Sequence, residues 1–387
     1  MPTAYGRILR RPGALRFSAA GLLARFPMSM VGISTILAVQ DLYGSYSAAG
    51  AVSAANIVAT AVGATLTACS QDLPEAPAVG TPTAHSVLDS TRFTTALERI
   101  QTGLDAADAE KSSELLSGYL TGPALRVRTE EYALASAAKD DTKIEHFTTQ
   151  SQAGTAGLTT DFPRIAVAVT EPAEAEEVPY LLAMTQDSAR DNFELWAWVR
   201  PFVNVSIPKT TAASVGSEQV GGDAEGLLST PQEVLDAYID VLNNPDGENA
   251  KTFDSEADDL LRQQMATLRS KDVSAAGEIK VTARSGSDGF RGLRSDDNGA
   301  IVFTTLAYDV VYKRTVAKST LKMPADVASL LGTGTEITGE VTTTNDVMVA
   351  FSIPPVEPTE ESGTKPVLLG RSVVLASASK DDSKSPG

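Results

Sequence analysis

Cysteine and histidine are almost absent from this chain of 387 residues. A single cysteine, Cys69, excludes an internal disulfide framework and Cys-rich zinc sites. The two histidines, His85 and His146, leave little material for a histidine metal centre or a catalytic triad. No nucleophile elbow, phosphate-binding glycine loop or His-Glu metal helix occurs in the sequence. These absences predict a protein that is not an enzyme, with no catalytic residue, no metal and no cofactor.

Basic residues are also few, and they are unevenly placed. The chain has 32 Lys and Arg against 49 Asp and Glu, for a net charge of −17. Residues 1–68 reverse this balance, because they hold five arginines and one aspartate. The remainder therefore carries the whole acidic excess and should repel nucleic acid. We expect no nucleic-acid partner.

Long hydrophobic runs are confined to the first 68 residues. One stretch runs from 17 to 39, interrupted by Arg25, and a second is uncharged from Asp41 to Asp72. Either is long enough to span a bilayer, since about 20 residues suffice. A charge at mid-bilayer costs roughly 2.5–3.5 kcal/mol, so Arg25 weakens the first stretch as a span. The sequence predicts an apolar membrane or signal region over 1–68.

Three segments near the N-terminus resemble the first two helices of an actinobacterial major facilitator permease: 10–17 (RRPGALRF), 21–30 (GLLARFPMSM) and 46–55 (YSAAGAVSAA). The resemblance covers about the first 55 residues and then stops. Two helices cannot form an alternating-access pathway, so this region is not expected to transport anything by itself. The pattern indicates an apparent fusion near 54–56, either natural or a gene-boundary error.

The following segments, 56–64 (NIVATAVGA) and 66–69 (LTAC), resemble the end of a bacterial lipoprotein signal. The resemblance implies a diacylglycerol on Cys69 as the mature N-terminus. The alternative is a two-helix anchor in which Cys69 is an ordinary small residue. Arg7, Arg10, Arg11 and Arg16 favour a cytoplasmic N-terminus and one effective crossing. We therefore expect a lipid-anchored cell-membrane protein, held to the bilayer by the N-terminal segment and Cys69, with its acidic body outside.

Residues after Cys69 show helices followed by strands, twice over. A Pro- and Gly-containing linker over 70–84 leads to a first unit, 85–215, with a helix marked by Phe93, Leu97, Ile100 and Leu104. Strands are predicted there at 164–170, 180–186 and 193–200. The second unit, 227–380, opens with the capping box of Thr230 and Glu233. Its strands are predicted at 278–283, 300–315, 336–343, 346–353 and 367–377, and 381–387 is expected to be a disordered tail.

This order predicts an α+β protein of two tandem helix-then-antiparallel-sheet domains behind the N-terminal apolar segment. Two cone-shaped domains similar to the nuclear-transport-factor-like fold fit it. Five segments of the body resemble an uncharacterised family of actinobacterial envelope lipoproteins: 120–125 (LTGPAL), 195–200 (LWAWVR), 215–218 (VGSE), 337–341 (ITGEV) and 367–370 (VLLG). The resemblance implies a location and a domain type, and carries no activity.

The best candidate for a ligand site is the strand that carries both tryptophans of the chain. Trp196, Trp198 and Arg200 alternate along it and share one face, so that two indoles and a guanidinium are available to a flat or sugar-like ligand. The competing interpretation is packing at a sheet–helix interface. His146 and its neighbour Glu145 could form an acid–base pair, but adjacent residues rarely converge, and the sequence favours a surface histidine.

Taken together, the sequence predicts an envelope lipoprotein that acts as a binding or scaffolding module. Its partner is expected to be an unknown envelope protein or a small ligand. Three alternatives remain open at this stage: a cone-fold enzyme with an unrecognised pocket, an accessory subunit of a permease, and, if both apolar segments span, an anchor protein whose body faces the cytoplasm.

Overall fold

The computed structural model describes residues 34–67, 84–172, 178–203, 205–253, 260–358 and 363–386. The chain divides into two compact units, Met1–Thr81 and Pro82–Gly387. Cys69 and nearly all of the predicted linker 70–84 lie outside the described residues.

Within its described part, the N-terminal unit is helical over residues 34–43 and over α1 (Tyr46–Thr67). None of the helices in the described ranges is both long enough and apolar enough to cross a membrane. Residues 17–33 of the first predicted apolar stretch lie outside these ranges. Alanine, glycine, serine and threonine fill most of α1, in place of the larger aliphatic side chains of a typical span.

The second unit begins with two helices, α2 (Ser90–Glu110) and α3 (Gly122–Ala138), of which α2 is the helix predicted above. Asp89 caps α2 by accepting the Arg92 N–H at 2.8 Å. The predicted apolar positions of α2 are all buried, which confirms the helical spacing.

Four strands follow these helices: β1 (Ser151–Leu158), β2 (Arg164–Thr170), β3 (Leu181–Gln186) and β4 (Glu194–Pro201). The short β5 (Ser217–Val220) then leads to the second pair of helices, α4 (Pro231–Asn243) and α5 (Leu260–Ser270). The capping box predicted for α4 is present, with both Thr230 and Glu233 hydrogen-bonded.

The C-terminal part of the unit is mostly β-structure. It contains β6 (Gly277–Ser285), β7 (Arg291–Arg294), β8 (Ala300–Arg314), β9 (Leu321–Lys322), α6 (Ala325–Leu331), β10 (Glu336–Ile337), β11 (Glu340–Ile353) and β12 (Val367–Asp381). A short 3-10 helix, Asp382–Lys384, follows β12. The strands predicted at 336–343 and 346–353 are mainly one strand, because β11 continues through Thr344 and Asn345.

All the longer strands belong to one sheet. In the described chain it has ten strands in the order β11-β12-β4-β3-β2-β1-β5-β7-β8-β6, and an additional pairing joins β11 to β8. That pairing closes nine strands into a ring, with β6 attached to β8 outside it. Every neighbouring pair is antiparallel except β1 with β5.

The fold predicted from the sequence, two tandem helix-then-sheet domains of the cone type, is therefore wrong. The helix-then-strand order recurs as expected, but the strands of the two halves pair with each other at both sides. β5 and β7 connect the halves on one side, and β12 pairs with β4 on the other. Unpaired strand edges are costly to leave exposed, so closing the ring satisfies backbone groups that two separate sheets would present to solvent.

The hydrophobic core also combines the two halves of the chain. The first cluster of buried side chains combines α2, α3 and β1–β4 with residues of the second half, including Leu293, Phe303 and Met348. The second cluster is built on α4, α5, β8 and β11 and takes in Phe202 from the first half. Each cluster therefore needs both halves of the chain. The residue ranges 85–215 and 227–380 stay predictions.

A glycine allows the contact between β4 and β12. Gly370 lies opposite Pro201, and the Phe202 N–H donates to the Leu369 carbonyl at 2.9 Å. A Cβ on Gly370 would lie 2.6 Å from the Pro201 Cα and would also overlap the Arg200 carbonyl. The ring closes here because residue 370 has no side chain.

Candidate functional site

A cavity of about 1030 Å³ lies beside the β4–β12 contact, and we call it the α3–β12 cavity. Its wall is formed by α3 and the segment after it, the end of β4, and parts of α5, α6, β11 and β12. Polar and apolar side chains both contribute to this wall; they include Glu131, Glu145, His146, Arg200, Arg371 and Ser372 on the polar side and Leu134, Val178, Phe202, Val203, Val373 and Leu375 on the apolar side.

One part of the wall rests on a buried arginine. Arg128 is 1% exposed, and its Nη1 donates to Glu131 Oε2 at 2.6 Å and to the Glu145 carbonyl at 2.9 Å. Its guanidinium also lies 5.0 Å from the centre of a ring of Trp198 and 5.5 Å from that of Phe147. These contacts hold the acidic part of the cavity wall in place.

Glu131 is the buried acid of this network. Burial, as the largest effect, raises the pKa of its carboxyl to about 8; the nearby Glu145 adds to the increase, while Arg128 opposes it. Glu131 is 3% exposed and lines the cavity.

Glu145 is held by two neutral donors. Its Oε1 accepts from the Tyr180 hydroxyl at 2.9 Å, and its Oε2 accepts from the Trp198 indole N–H at 2.9 Å. His146, the next residue, has a side chain that is 66% exposed and lies 3.7 Å from Asp108. The structure therefore separates these two neighbours: Glu145 belongs to the buried network and His146 to the surface.

The other part of the wall is cationic. Arg200 on β4 and Arg371 on β12 lie directly opposite each other across the antiparallel pair, and both line the cavity. Among the described residues, neither guanidinium forms an ion pair or a hydrogen bond. Two like charges directly opposite each other destabilise a sheet. Arg371 also lies near Tyr308; burial raises the pKa of that phenol to about 12, and the charge of Arg371 opposes the increase.

The structure places the three residues predicted for a ligand site in different surroundings. Trp198 is fully buried and Trp196 is 3% exposed, and both belong to the first core cluster. Trp196 packs against Gly122. The φ of Gly122 is +54°, which favours glycine, and a Cβ at this position would overlap the indole ring. Arg200 is exposed and lines the cavity. Both indoles contribute to packing, and Trp198 also supports Glu145.

Sequence analysis did not find Glu131 or Arg371. A signal for the first was present, because the buried positions of α3 include Ala124, Val127, Arg128, Glu131 and Ala135 at helical spacing. Two charged residues in a buried stripe indicate an interior ion pair. The sequence holds no such signal for Arg371. Its position beside Arg200 depends on the pairing of β12 with β4, a strand that ends 170 residues earlier.

In the described parts of the chain, no group of three or more His, Cys, Asp or Glu side chains is arranged to hold a metal ion. No protein-family model matches the chain, and comparisons with curated proteins and with solved structures also gave no match.

Proposed function

We propose that this protein is a binding module that takes a small ligand in the α3–β12 cavity. The cavity is large enough for a ligand of a few hundred daltons, since small-molecule sites measure roughly 300–1,000 Å³. Its wall also has the composition of such a site, with apolar side chains and a small number of converging polar groups.

The observation that carries the proposal is an unsatisfied polar group on β12. Arg371 lines the cavity, and its Nε has no hydrogen-bond partner among the described residues. Leaving a buried polar atom unpaired costs about 1–3 kcal/mol, and buried polar atoms in proteins are nearly always paired. A guanidinium without a partner in a cavity wall favours a ligand that supplies one.

The proposed location of this module is the bacterial cell envelope, with Cys69 as a lipid anchor. The support is the LTAC sequence at 66–69, together with the basic residues that precede it and the acidic body that follows. A ligand-binding body tethered at the outer face of the cell membrane fits this arrangement.

The binding proposal is tested with phenylnaphthylamine, a neutral fluorophore whose emission increases in apolar surroundings. We expect saturable binding to the full chain, with Val203→Trp weakening it several-fold. Val203 is 68% exposed and lines the cavity, so a larger side chain there narrows the cavity without disturbing the core.

The matched control is Val215→Trp, because Val215 is 62% exposed and is not among the side chains that line the cavity. Binding elsewhere on the chain would leave the two variants equal. Equal affinities, or no saturable binding to the unsubstituted protein, would contradict the proposed function.

A further inference from the structure

We infer that the ligand of the α3–β12 cavity is an oxyanion with an apolar portion, and that its anionic group binds between Arg200 and Arg371. This inference rests on the proposed function, since it names the class of ligand that the same cavity takes. Carboxylates, phosphates and sulfonates share the required chemistry.

The backbone brings the two arginines together. β4 and β12 pair over only two positions, Gly370 with Pro201 and Arg371 with Arg200. Directly opposed residues of an antiparallel pair have Cβ atoms about 4.5–5.5 Å apart and project to the same face. Both side chains line the same cavity, so one small anion can reach both guanidinium groups.

The acidic groups of the cavity wall are already engaged elsewhere. Glu131 accepts from Arg128, and Glu145 accepts from Tyr180 and Trp198. The third acid, Asp326, forms an ion pair with Lys143 at 2.9 Å. None of the three neutralises the Arg200–Arg371 pair, and the cationic part of the wall keeps its charge for a ligand.

Several other arginines of the second unit have defined partners. Arg126 pairs with Asp288 and Asp346, and Arg284 pairs with Asp309. Arg269 donates to the backbone carbonyls of Leu242 and Val281. The chain has 49 acidic residues, so carboxylates are available to form ion pairs with its arginines. Two adjacent arginines left without one, at a repulsive cross-strand position, fit a site whose counter-ion is the ligand.

The apolar part of the ligand follows from the neighbours of the arginines. Val373 and Leu375 continue along β12 from Arg371, and Val203 follows Arg200 by three residues; all line the cavity. An anion bound at the guanidinium pair can therefore extend an apolar group along this surface. Inorganic phosphate alone would gain the charged contacts and not the apolar ones.

Two fluorophores that differ by one group test the inference. Anilinonaphthalene sulfonate has the rings of phenylnaphthylamine plus a sulfonate. We expect the sulfonate to bind about tenfold more tightly, the effect of one good charge-assisted contact. Arg200→Gln and Arg371→Gln should each remove most of that advantage, measured as the ratio of the two affinities within the same variant.

Arg284→Gln is the control, since Arg284 lies on β6, pairs with Asp309 and is half-exposed. An advantage for the sulfonate that survives in the Arg200→Gln, Arg371→Gln double variant would overturn the inference. Inorganic phosphate should displace the sulfonate, and should raise the Tm of the unsubstituted protein while leaving the double variant unaffected.

These measurements separate the two proposals. If phenylnaphthylamine does not bind but phosphate raises Tm through the two arginines, the proposed apolar binding fails and the anion site stands. If phenylnaphthylamine binds in the cavity and the sulfonate gains nothing from the arginines, the cavity is a ligand site and the anion inference is wrong.

Discussion

Arg371 lies directly opposite Arg200 at the point where β12 pairs with β4 and the ring of strands closes. Neither guanidinium has a partner among the described residues, so the closing contact carries an electrostatic cost. The same pair supplies the cationic part of the cavity wall. We therefore expect stability and binding to oppose each other at this position.

The first prediction concerns the conflict between stability and ligand binding at Arg371. Arg371→Gln removes the like-charge repulsion and should raise the free energy of unfolding by about 0.2–1 kcal/mol at low salt and without ligand. The gain should shrink at high salt, because salt already screens the repulsion. Urea unfolding at two salt concentrations measures both effects. Arg371→Lys keeps the charge and should show no gain; a loss of stability in the glutamine variant would argue against the repulsion.

The second prediction concerns pH. Burial raises the pKa of Glu131 from 4.5 to about 8. Between these values the folded protein binds a proton that the unfolded chain does not, so the free energy of unfolding should fall as pH increases from about 4.5 to 8. The direction of the change follows from burial of the carboxyl, which favours its neutral form.

Glu131→Gln should make the stability curve flatter over that range, which urea unfolding at several pH values will show. Glu130 contributes to the same window, because burial and the charge of Asp346 raise its pKa to about 8 as well, against the effect of Arg126. Its contribution should be smaller, since it is only partly buried and solvent screens it. A curve that keeps its full slope in the Glu130→Gln, Glu131→Gln double variant would contradict the assignment.

The third prediction tests how the ring closes. Gly370→Ala places a methyl group against the backbone of Arg200 and Pro201. It should lower the free energy of unfolding by at least about 1–3 kcal/mol, the usual cost of overpacking. It should also weaken phenylnaphthylamine binding, because the cavity borders this contact. Gly334→Ala is the matched control, since nothing lies within 4 Å of a Cβ built there. Equal effects of the two substitutions would show that β4 and β12 tolerate separation.

The fourth prediction concerns Cys69. If the LTAC segment at 66–69 directs lipid attachment, mass spectrometry of the membrane fraction should find a mature chain that begins with diacylglycerol-modified Cys69. Cys69→Ser should abolish the modification. Because this is the only cysteine of the chain, a thiol reagent provides an independent readout. A chain that retains Met1 and reacts with the reagent would contradict lipidation and favour the two-helix anchor.

Local structure was predictable wherever it depends on neighbours in the sequence. The apolar spacing of Phe93, Leu97 and Ile100 specifies α2, and the side chains of Thr230 and Glu233 specify the start of α4. Longer strands rich in β-branched and aromatic residues, such as β2 and β8, were also found. By contrast, β1 was not predicted, because Gly154, Gly157 and two alanines give it little strand propensity.

The sequence by itself determined where α2 and α4 lie and the positions of most of the longer strands. Only the tertiary structure decided that β11 pairs with β8 and that β12 pairs with β4, which makes one closed sheet instead of two. Strand propensity is a property of a short segment, whereas the choice of a partner edge depends on packing contributed by the whole chain. The same distinction applies to the candidate site. Arg371, Glu131 and Arg200 line the same cavity because β4 and β12, which are far apart in the sequence, pair beside α3. No local pattern in the sequence encodes that proximity.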